Sequence, residues 1–419
     1  MSFWLHVNAG YWPLIGGAET YLQAVSERFA RDGDTVLVAT TNAESVEHWW
    51  DPRYPAVPPG LDCLNGVKII RSRVAHLPGS PYPFLILRRL AGTMYRWEAA
   101  IPVLNGMSNF IPWVPQLGRA LEEHGQAAQL VHAINVALEG PVFQAYRFAR
   151  RHRLPFIFTP FVHVGNPKNV ERYYTLPHHR RLMRSSDAVI VQTQREADTL
   201  TRLGVPPQRL HQVGMGVDLT ELQGGNAERF RRQHGIRGPV VTFMGAVTYD
   251  KGAIHLTQAM CQLWKKNHPA TLVLAGRPIA AGGFDRFFAR VPFEYQTRTL
   301  RLGQVTGELK QDLLAATDVF VMPSRVDSFG IVFLEAWAYG IPVIGADTGG
   351  VPDVIERGVD GLLVPFGEVA PLAEAIAGLL TSQTWARALG ARGKAKVEAR
   401  YTWDQVYQRL RHIYEGLVP

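Results

Sequence analysis

A short strand, a glycine-rich loop, an amphipathic helix and a second strand follow one another at the start of the chain. Residues 3–8 are mainly apolar, Gly16 and Gly17 lie in the loop, and residues 19–30 have helical periodicity before the strand pattern at 35–40. This order is typical of a βαβ unit, in which the two strands are parallel and the helix covers one face of the sheet. The chain is therefore predicted to form α/β structure around parallel sheets.

The same alternation of strands and helices begins again near residue 240. Predicted strands of the first sheet continue at 130–133, 156–159 and 188–192, and those of the second lie at 240–245, 271–275, 319–322 and 342–345. Because 419 residues exceed what one hydrophobic core usually supports, two domains are expected. We predict two doubly wound Rossmann-like domains facing a central cleft, at residues 1–215 and 216–395, with 214–239 as linker. Residues 396–419 are predicted to form a C-terminal helix that could pack on either domain, including back on the N-terminal one.

The composition is that of a globular protein, with 47% hydrophobic and 19% charged residues. The two cysteines, Cys63 and Cys261, are far apart and lack ligand-spaced partners, so neither a disulfide framework nor a zinc site is predicted. The N-terminus lacks a secretion signal, and no apolar run approaches the roughly 20 residues that span a bilayer. A cytoplasmic location is expected, with peripheral contact at the inner face of the membrane left open.

The net charge of +8 is concentrated in the N-terminal half. Residues 1–215 contain 22 Lys and Arg against 16 Asp and Glu, a net charge of +6. One interpretation is an ordinary solvated surface. The other is contact with an anionic membrane or an anionic acceptor, which the tryptophans of the same half favour, namely Trp49, Trp50, Trp97 and Trp113. Nucleic acid is not a predicted partner, because no recognised binding module accompanies the charge.

The most informative segment is PSRVDSFGIVFLEAWAYGIPVIGADTGGVPDVI at residues 323–355. Asp327 precedes a loop-to-helix junction, and Glu335 lies two turns into the predicted helix. Ser328 is predicted to cap this helix, leaving the backbone N–H groups of Gly330 and Ile331 to bind an anion such as a diphosphate. The two carboxylates would then bind hydroxyl groups on either side of that diphosphate.

With these residues the chain resembles the retaining GT-B glycosyltransferases typified by glycogen synthases and phosphatidylinositol mannosyltransferases. The resemblance covers nearly the whole chain and rests on motifs that are specific in their order and spacing. They are GGAET at 16–20, HAIN at 132–135, TPFVH at 159–163, GMGVD at 214–218, DKG at 250–252, LGQV at 302–305 and the two acids at 327 and 335. It implies transfer of a hexose from a nucleotide diphosphate sugar to an acceptor hydroxyl on a glycan, a lipid or a small molecule, with retention and without a metal cofactor.

The resemblance also implies roles for individual residues. Glu335 would bind the nucleotide ribose, Asp327 the donor-sugar hydroxyls, and Lys251 the diphosphate as its bond to the sugar breaks. His163 matches the histidine near the anomeric carbon. The other implied donor-binding positions are Ser328, Phe329, Gly330 and Ile331 at the phosphates, Gln304 and Val305 at the base, and Gly16 and Gly17 facing the phosphates. His132 and Asn135 are candidates for lining the cleft or contacting the acceptor.

Two positions depart from the family pattern. Asp327 stands where the family usually has Glu, and Ala246 stands where it usually has Arg, so Arg325 is a candidate for supplying the missing positive charge. A non-hydrolysing sugar-nucleotide epimerase and a non-catalytic sugar-nucleotide-binding protein remain alternatives. A nicotinamide-dependent dehydrogenase is not predicted, because no G-x-G-x-x-G follows either first strand.

One short motif imitates a metal site. Asp32-Gly33-Asp34 matches the Asp-x-Asp pattern of metal-dependent glycosyltransferases, but it lies between the first helix and the second strand. Gly33 is there predicted to be the left-handed residue that ends the helix. No metal and no other cofactor is therefore expected.

Overall fold

The computed structural model describes residues 2–166, 168, 170–277 and 283–418. The chain forms two compact units. Unit 1 consists of residues 1–163, 167–214 and 403–419, and unit 2 of residues 164–166 and 215–402. Each unit is built on its own sheet, so the predicted α/β architecture with two parallel sheets is confirmed.

Unit 1 contains an eight-stranded sheet within the described part of the chain. Its strands are β1 Phe3–Val7, β2 Thr35–Thr41, β3 Gly60–Leu64, β4 Val67–Ser72, β5 Leu130–Ile134, β6 Phe156–Thr159, β7 Ala188–Val191 and β8 Leu210–Gln212. They lie in the order β3-β4-β2-β1-β5-β6-β7-β8, and every pair is parallel except β3 with β4. The central strands β5, β6 and β7 are buried along their whole length, which explains their continuous apolar sequences.

The described helices of unit 1 are α1 Gly17–Arg31, α2 Tyr82–Thr93, α3 Ile101–Ser108, α4 Leu117–His124, α5 Glu139–His152, α6 Pro177–Ser185, α7 Gln194–Arg202 and, from the chain end, α17 Trp403–Leu417. A π-helical turn covers Val170–Tyr174. Helix α17 packs on α1, where Tyr414 stacks on Phe29 with ring centroids 4.8 Å apart and Arg28 pairs with Asp404 at 2.6 Å.

Unit 2 contains a six-stranded sheet, again counting described residues. Its strands are β9 Val240–Met244, β10 Thr271–Ala275, β11 Thr299–Gly303, β12 Val319–Met322, β13 Val343–Ala346 and β14 Gly361–Val364. All described pairs are parallel, in the order β11-β10-β9-β12-β13-β14. Counted within the unit this is 3-2-1-4-5-6, the order of dinucleotide-binding Rossmann folds.

The described helices of unit 2 are α8 Ala227–Gln233, α9 Ala253–Lys265, α10 Phe284–Phe288, α11 Phe293–Gln296, α12 Gly307–Ala316, α13 Ile331–Ala338, α14 Val351–Val354, α15 Val369–Thr381 and α16 Gln383–Arg400. The fully buried Trp337 of α13 lies against Gly393 of α16, where an added Cβ would come within 2.0 Å of the indole. Its Nε1 donates to the carbonyl oxygen of Asp360 at 2.9 Å. These contacts fix the orientation of α13.

The structure differs from the sequence predictions at several boundaries. Strands β3, β4, β8, β11 and β14 were not predicted. The segment 214–239, predicted as linker, contains α8 within unit 2. Residue 396 lies inside α16, and the chain returns to unit 1 only at Trp403. Among the described helices, none is both long enough and apolar enough to cross a membrane.

Candidate active site

The strand order of unit 2 creates a crevice between β9 and β12. Strands β10 and β11 lie on one side of β9, and β12, β13 and β14 lie on its other side. Ligands of open α/β sheets bind at such a switch point, beyond the carboxyl ends of the strands. The loops that follow β9 and β12 contain Lys251 and Asp327, respectively.

Lys251 and Asp327 form an ion pair at this switch point. Lys251 Nζ donates to Asp327 Oδ1 at 2.7 Å, and the side chains are 24% and 13% exposed. The loop carrying Lys251 approaches the end of β12 closely because Gly252 has φ +83° and an added Cβ would lie 2.3 Å from the Pro323 carbonyl oxygen. The structure thus brings together two side chains that are 76 residues apart in sequence.

Glu335 belongs to a second ion pair, with a partner that the sequence did not indicate. Lys310 Nζ, on α12, donates to Glu335 Oε1 on α13 at 2.6 Å. Both side chains are only partly exposed, at 25% and 13%. Lys310 therefore holds the carboxylate in one orientation while leaving its second oxygen available to a ligand hydroxyl.

Helix α13 begins between these two ion pairs. Its N-cap is Gly330, with φ +90° and no side-chain cap, so the prediction that Ser328 caps the helix is wrong. Two features favour glycine at position 330. Its φ is positive, and an added Cβ would lie 2.6 Å from the Phe333 ring. The first N–H groups of a helix have no intrahelical acceptor, so the start of α13 at Ile331 is suited to binding an anion.

The ring of Phe329 is directed into the protein rather than toward the surface. Phe329 is 3% exposed, and its ring contacts that of Tyr401 edge-on at 5.5 Å. Only its backbone remains for the predicted contact with phosphate. Beyond β11, Gln304 is exposed and Val305 is nearly buried, so of these two predicted base-binding residues the first offers the accessible side chain.

Arg325, the candidate replacement for the arginine missing at Ala246, has a defined environment. Its Nε and Nη2 pair with Asp250 Oδ1 at 2.8 and 2.6 Å. The guanidinium also lies over the rings of Tyr249 and Phe366, at 5.5 and 5.1 Å from their centroids. Arg325 is therefore held beside the loop of Lys251, with part of its charge compensated by Asp250.

In unit 1, the predicted glycine loop precedes α1. Gly16 is the N-cap of α1, and an added Cβ would come within 2.4 Å of Glu19 Oε2. Gly10 is similarly close to Glu19 Oε1, at 2.5 Å, whereas an added Cβ on Gly17 would meet nothing within 4 Å. Burial raises the pKa of Glu19. Gly10 and Gly16 thus accommodate a buried carboxyl group under the loop, and only Gly17 leaves open space.

His163 follows β6 at the carboxyl edge of the first sheet. Its ring stacks on Tyr174, with centroids 5.1 Å apart and an interplanar angle of 20°. The preceding residue, Val162, donates its N–H to Glu196 Oε1 at 2.7 Å, and Gln192 donates to Oε2 at 2.8 Å. Burial raises the pKa of Glu196 to about 7. Glu196 was missed by the sequence analysis, although Thr193, whose side chain accepts from the Glu196 N–H at 3.3 Å, marks the start of α7 as its N-cap.

The two other candidates in unit 1 have different surroundings. His132 is fully buried, with Nδ1 2.6 Å from Tyr414 Oη and Nε2 2.7 Å from Thr159 Oγ1. Burial lowers its pKa. His132 is therefore a core residue, and the prediction that it lines a cleft must be corrected. Asn135 is partly exposed after β5, with φ +74° and its Oδ1 accepting from Ala137 N at 3.1 Å.

The Asp32-Gly33-Asp34 motif has the structural role predicted for it. Gly33 has φ +91° and follows Asp32, the C-cap of α1. Asp32 accepts from Tyr407 Oη at 2.6 Å, and Asp34 accepts from Trp4 Nε1 at 3.0 Å. Both carboxylates are thus engaged in contacts within unit 1.

Among the described residues, one group has side chains spaced closely enough to hold a metal ion, namely Glu139, His178 and His179. Glu139 Oε2 lies 2.7 Å from His178 Nε2, and Oε1 lies 3.2 Å from His179 Nε2. Burial would raise the pKa of Glu139, but the two histidines outweigh it and lower that pKa. This arrangement is a buried polar cluster that joins α5 to α6.

Two family descriptions match the chain and together span most of it. Residues 16–216 match "Glycosyl transferase 4-like domain", and residues 226–396 match "Glycosyl transferases group 1". The D-inositol 3-phosphate glycosyltransferase of Saccharomonospora viridis is 30% identical over 423 aligned positions, covering 95% of this chain and 89% of that protein.

Solved structures share the fold over the whole chain. Sucrose-phosphate synthase from Thermosynechococcus elongatus has a TM-score of 0.75 at 21% identity, covering 100% of this chain and 99% of that one. Anabaena HepE in complex with UDP-glucose has a TM-score of 0.74 at 17% identity, with 100% of both chains covered. At these identities the likeness concerns the fold.

Proposed function

The chain belongs to the group 1 glycosyltransferases, and from this premise we propose that it transfers a hexose from a nucleoside diphosphate sugar to an acceptor hydroxyl, with retention and without a metal ion. The observation that carries the proposal is the arrangement around α13. A helix N-terminus lies between two lysine–carboxylate pairs, Lys251 with Asp327 and Lys310 with Glu335, at the switch point of a Rossmann-type sheet.

Each part of this arrangement suits one part of the donor. The N–H groups at Gly330 and Ile331 and the positive end of the helix dipole suit the diphosphate. Glu335, held by Lys310, can accept hydrogen bonds from the ribose hydroxyls. Asp327, at the other end of the site, can accept from hydroxyls of the sugar.

Lys251 is proposed to stabilise the leaving group. Negative charge develops on the diphosphate as the glycosidic bond breaks, and an ammonium already positioned there requires little reorganisation. The ion pair with Asp327 holds this ammonium at the switch point. The ammonium of Lys251 would therefore contact both Asp327 and the diphosphate of a bound donor.

Retention is proposed to follow from attack by the acceptor on the face of the sugar from which the diphosphate leaves. Asp327 and Glu335 are each engaged by a lysine, which suits binding better than service as nucleophile and acid. His163 is assigned a hydrogen bond to the donor sugar, with its ring orientation supported by Tyr174.

The first experiment identifies the donor by thermal stabilisation with UDP-, GDP- and ADP-sugars. A ligand at 100 times its dissociation constant should stabilise the protein by about 2.7 kcal/mol. The preferred donor is then incubated with candidate acceptors, among them D-inositol 3-phosphate, which appears in the name of the relative from Saccharomonospora viridis. Proton NMR of fresh product should show the anomeric coupling of the donor, and an inverted coupling would refute retention.

The same assay separates the alternative functions. An epimerase would interconvert sugar nucleotides with no acceptor present, and a binding protein would be stabilised by the donor but release no nucleoside diphosphate. Transfer that depends on the acceptor is the outcome that the glycosyltransferase proposal requires.

A further inference from the structure

Helix α2 of unit 1 has an apolar face that is exposed. Tyr82, Leu85, Ile86 and Leu90 are 69%, 47%, 56% and 49% exposed, and their spacing places them on one side of the helix. We call these four residues the α2 face.

The opposite side of α2 is also apolar and is the side that packs on unit 1. Phe84 and Ala91 are buried there. A surface helix normally has one apolar stripe toward the core and polar residues toward water. Helix α2 has a second apolar stripe on its exposed side, which indicates that this side contacts an apolar partner.

The residues that follow extend this exposed apolar surface. Trp97 is 65% exposed and Val103, on α3, is 54% exposed. Tryptophan suits the boundary between lipid and water, because its ring is apolar while its N–H can remain hydrated.

The charge around the α2 face is positive. Residues 82–108 contain three arginines and one acid, Glu98, which gives a net charge of +2. Arg89 and Arg96 are exposed, and Arg88 lies over the Tyr173 ring at 5.6 Å from its centroid. Apolar side chains flanked by arginines are complementary to a membrane surface with anionic headgroups.

The α2 face is also connected to the predicted catalytic region of unit 1. Helix α2 packs on the turn Val170–Tyr174, where Gly92 lies so close to Arg172 that an added Cβ would be 3.3 Å from its carbonyl oxygen. Tyr174 of the same turn stacks on His163. Helix α2 and this turn therefore connect the α2 face to the histidine assigned to the donor sugar.

We propose that the α2 face binds an anionic lipid membrane by inserting Leu85, Ile86 and Leu90 among the headgroups and acyl chains. Resting on the proposed function, this assigns the acceptor to the class of molecules held at a membrane surface, such as a glycolipid or a lipid-linked saccharide. Of the four tryptophans named from the sequence, Trp97 is the exposed one, whereas Trp49 is buried in a core cluster against which Trp50 packs, so the tryptophans as a group do not support the membrane contact.

The test is sedimentation of the full chain with vesicles of phosphatidylcholine alone or mixed with phosphatidylglycerol. Wild type should bind the mixed vesicles, bind more weakly as salt is added, and remain in solution with phosphatidylcholine alone. The triple variant Leu85→Gln, Ile86→Gln, Leu90→Gln should lose at least about tenfold in partitioning, because three aliphatic side chains no longer leave water. The matched control is Phe293→Gln, which removes a 79% exposed apolar side chain from unit 2 and should bind like wild type.

The arginine contribution is tested separately with Arg89→Glu, which should weaken binding to mixed vesicles without altering an apolar residue. Because Arg89 is exposed, this variant is expected to fold even if the triple variant does not. Absence of wild-type binding to mixed vesicles, or equal binding by Arg89→Glu, overturns the proposal. So does a dimer in light scattering that the triple variant abolishes, because a second copy would then cover the face.

A readout of donor binding keeps this proposal distinct from the proposed function. The triple variant should be stabilised by the preferred nucleotide sugar as much as wild type, since none of its three positions is among the residues assigned to the donor. Donor stabilisation without vesicle binding refutes the membrane proposal alone. Vesicle binding without any effect of sugar nucleotides refutes the proposed glycosyl transfer but not the proposal that the α2 face binds a membrane.

Discussion

Replacing Asp327 by Asn tests the division of labour between the two carboxylates. The change keeps the size of the side chain and removes its charge, so Lys251 loses its partner at 2.7 Å. Because both side chains are partly exposed, the loss of the pair should cost the fold only about 1 kcal/mol after solvent screening. The variant should therefore fold and be measurable.

The expected effect is on the maximal rate. A hydrogen bond to a charged group contributes about 1.5 to 3 kcal/mol, and losing one that orients the sugar in the transition state lowers the rate about 10- to 150-fold. The free nucleoside diphosphate has no sugar to contact Asp327. Since the Asp327→Asn change would also release Lys251 to bind phosphate, the dissociation constant of the diphosphate should be unchanged or lower.

Two variants serve as controls. Glu335→Gln removes the partner of Lys310 in the same way, but it should weaken nucleotide binding while leaving the maximal rate comparatively intact. Asp250→Asn removes a neighbouring ion pair, that of Arg325, without altering a residue assigned to the sugar. Steady-state kinetics and calorimetric binding of the diphosphate distinguish the three. Weaker diphosphate binding by Asp327→Asn, with a normal maximal rate, would show that Asp327 binds the other end of the donor.

Three further outcomes are expected. Activity should survive a strong chelator, and loss in EDTA that magnesium or manganese restores would refute metal independence. In a urea titration Gly252→Ala should destabilise the protein by more than the roughly 1 kcal/mol expected for Gly307→Ala. Both glycines have positive φ, but of the two only Gly252 lies against Pro323. Equal unfolding midpoints of the two variants would contradict this expectation. Burial lowers the pKa of His6 to about 3. Between about pH 6.5 and pH 3 the unfolded chain therefore binds more protons than the folded chain. The free energy of unfolding should fall as the pH falls through this window, by up to about 1.4 kcal/mol per pH unit. A His6→Gln variant should show a shallower loss between pH 7 and 5, and identical slopes would exclude His6 as the cause.

The sequence predicts the strands at the centre of each sheet, because their burial leaves apolar runs, but it misses the parallel strands β4, β8, β11 and β14 toward the sheet edges. Strands β6, β10 and β12 have the predicted bounds. Strand β3 escapes prediction because it is an exposed edge strand, in which Asp62 and Cys63 interrupt any apolar pattern. Its pairing with β4 becomes visible only in the folded chain.

In the candidate site, too, local features could be predicted from the sequence, whereas contacts between distant residues could not. Asp327, Gly330 and Glu335 stand out in sequence because they surround one helix start, a local feature. Lys310 is 25 residues from Glu335, and nothing in the sequence around it specifies which carboxylate it meets. His132 shows the opposite error: it is the central residue of β5, and the sequence does not tell whether its ring is exposed or, as in the structure, buried beside Tyr414.

The replacement of the usual arginine by Ala246 can be understood from the charges that remain. Lys251, Lys310 and Arg325 each have a carboxylate partner, namely Asp327, Glu335 and Asp250, so the three ion pairs add no net charge. The N-terminus of α13 carries a partial positive charge beside these balanced pairs. We infer that a diphosphate is first drawn to the helix terminus and then competes with Asp327 for Lys251. An arginine at position 246 would add a surplus charge that attracts any phosphate, whereas with alanine the proposed contact of the sugar with Asp327 would also determine how far Lys251 turns toward the diphosphate.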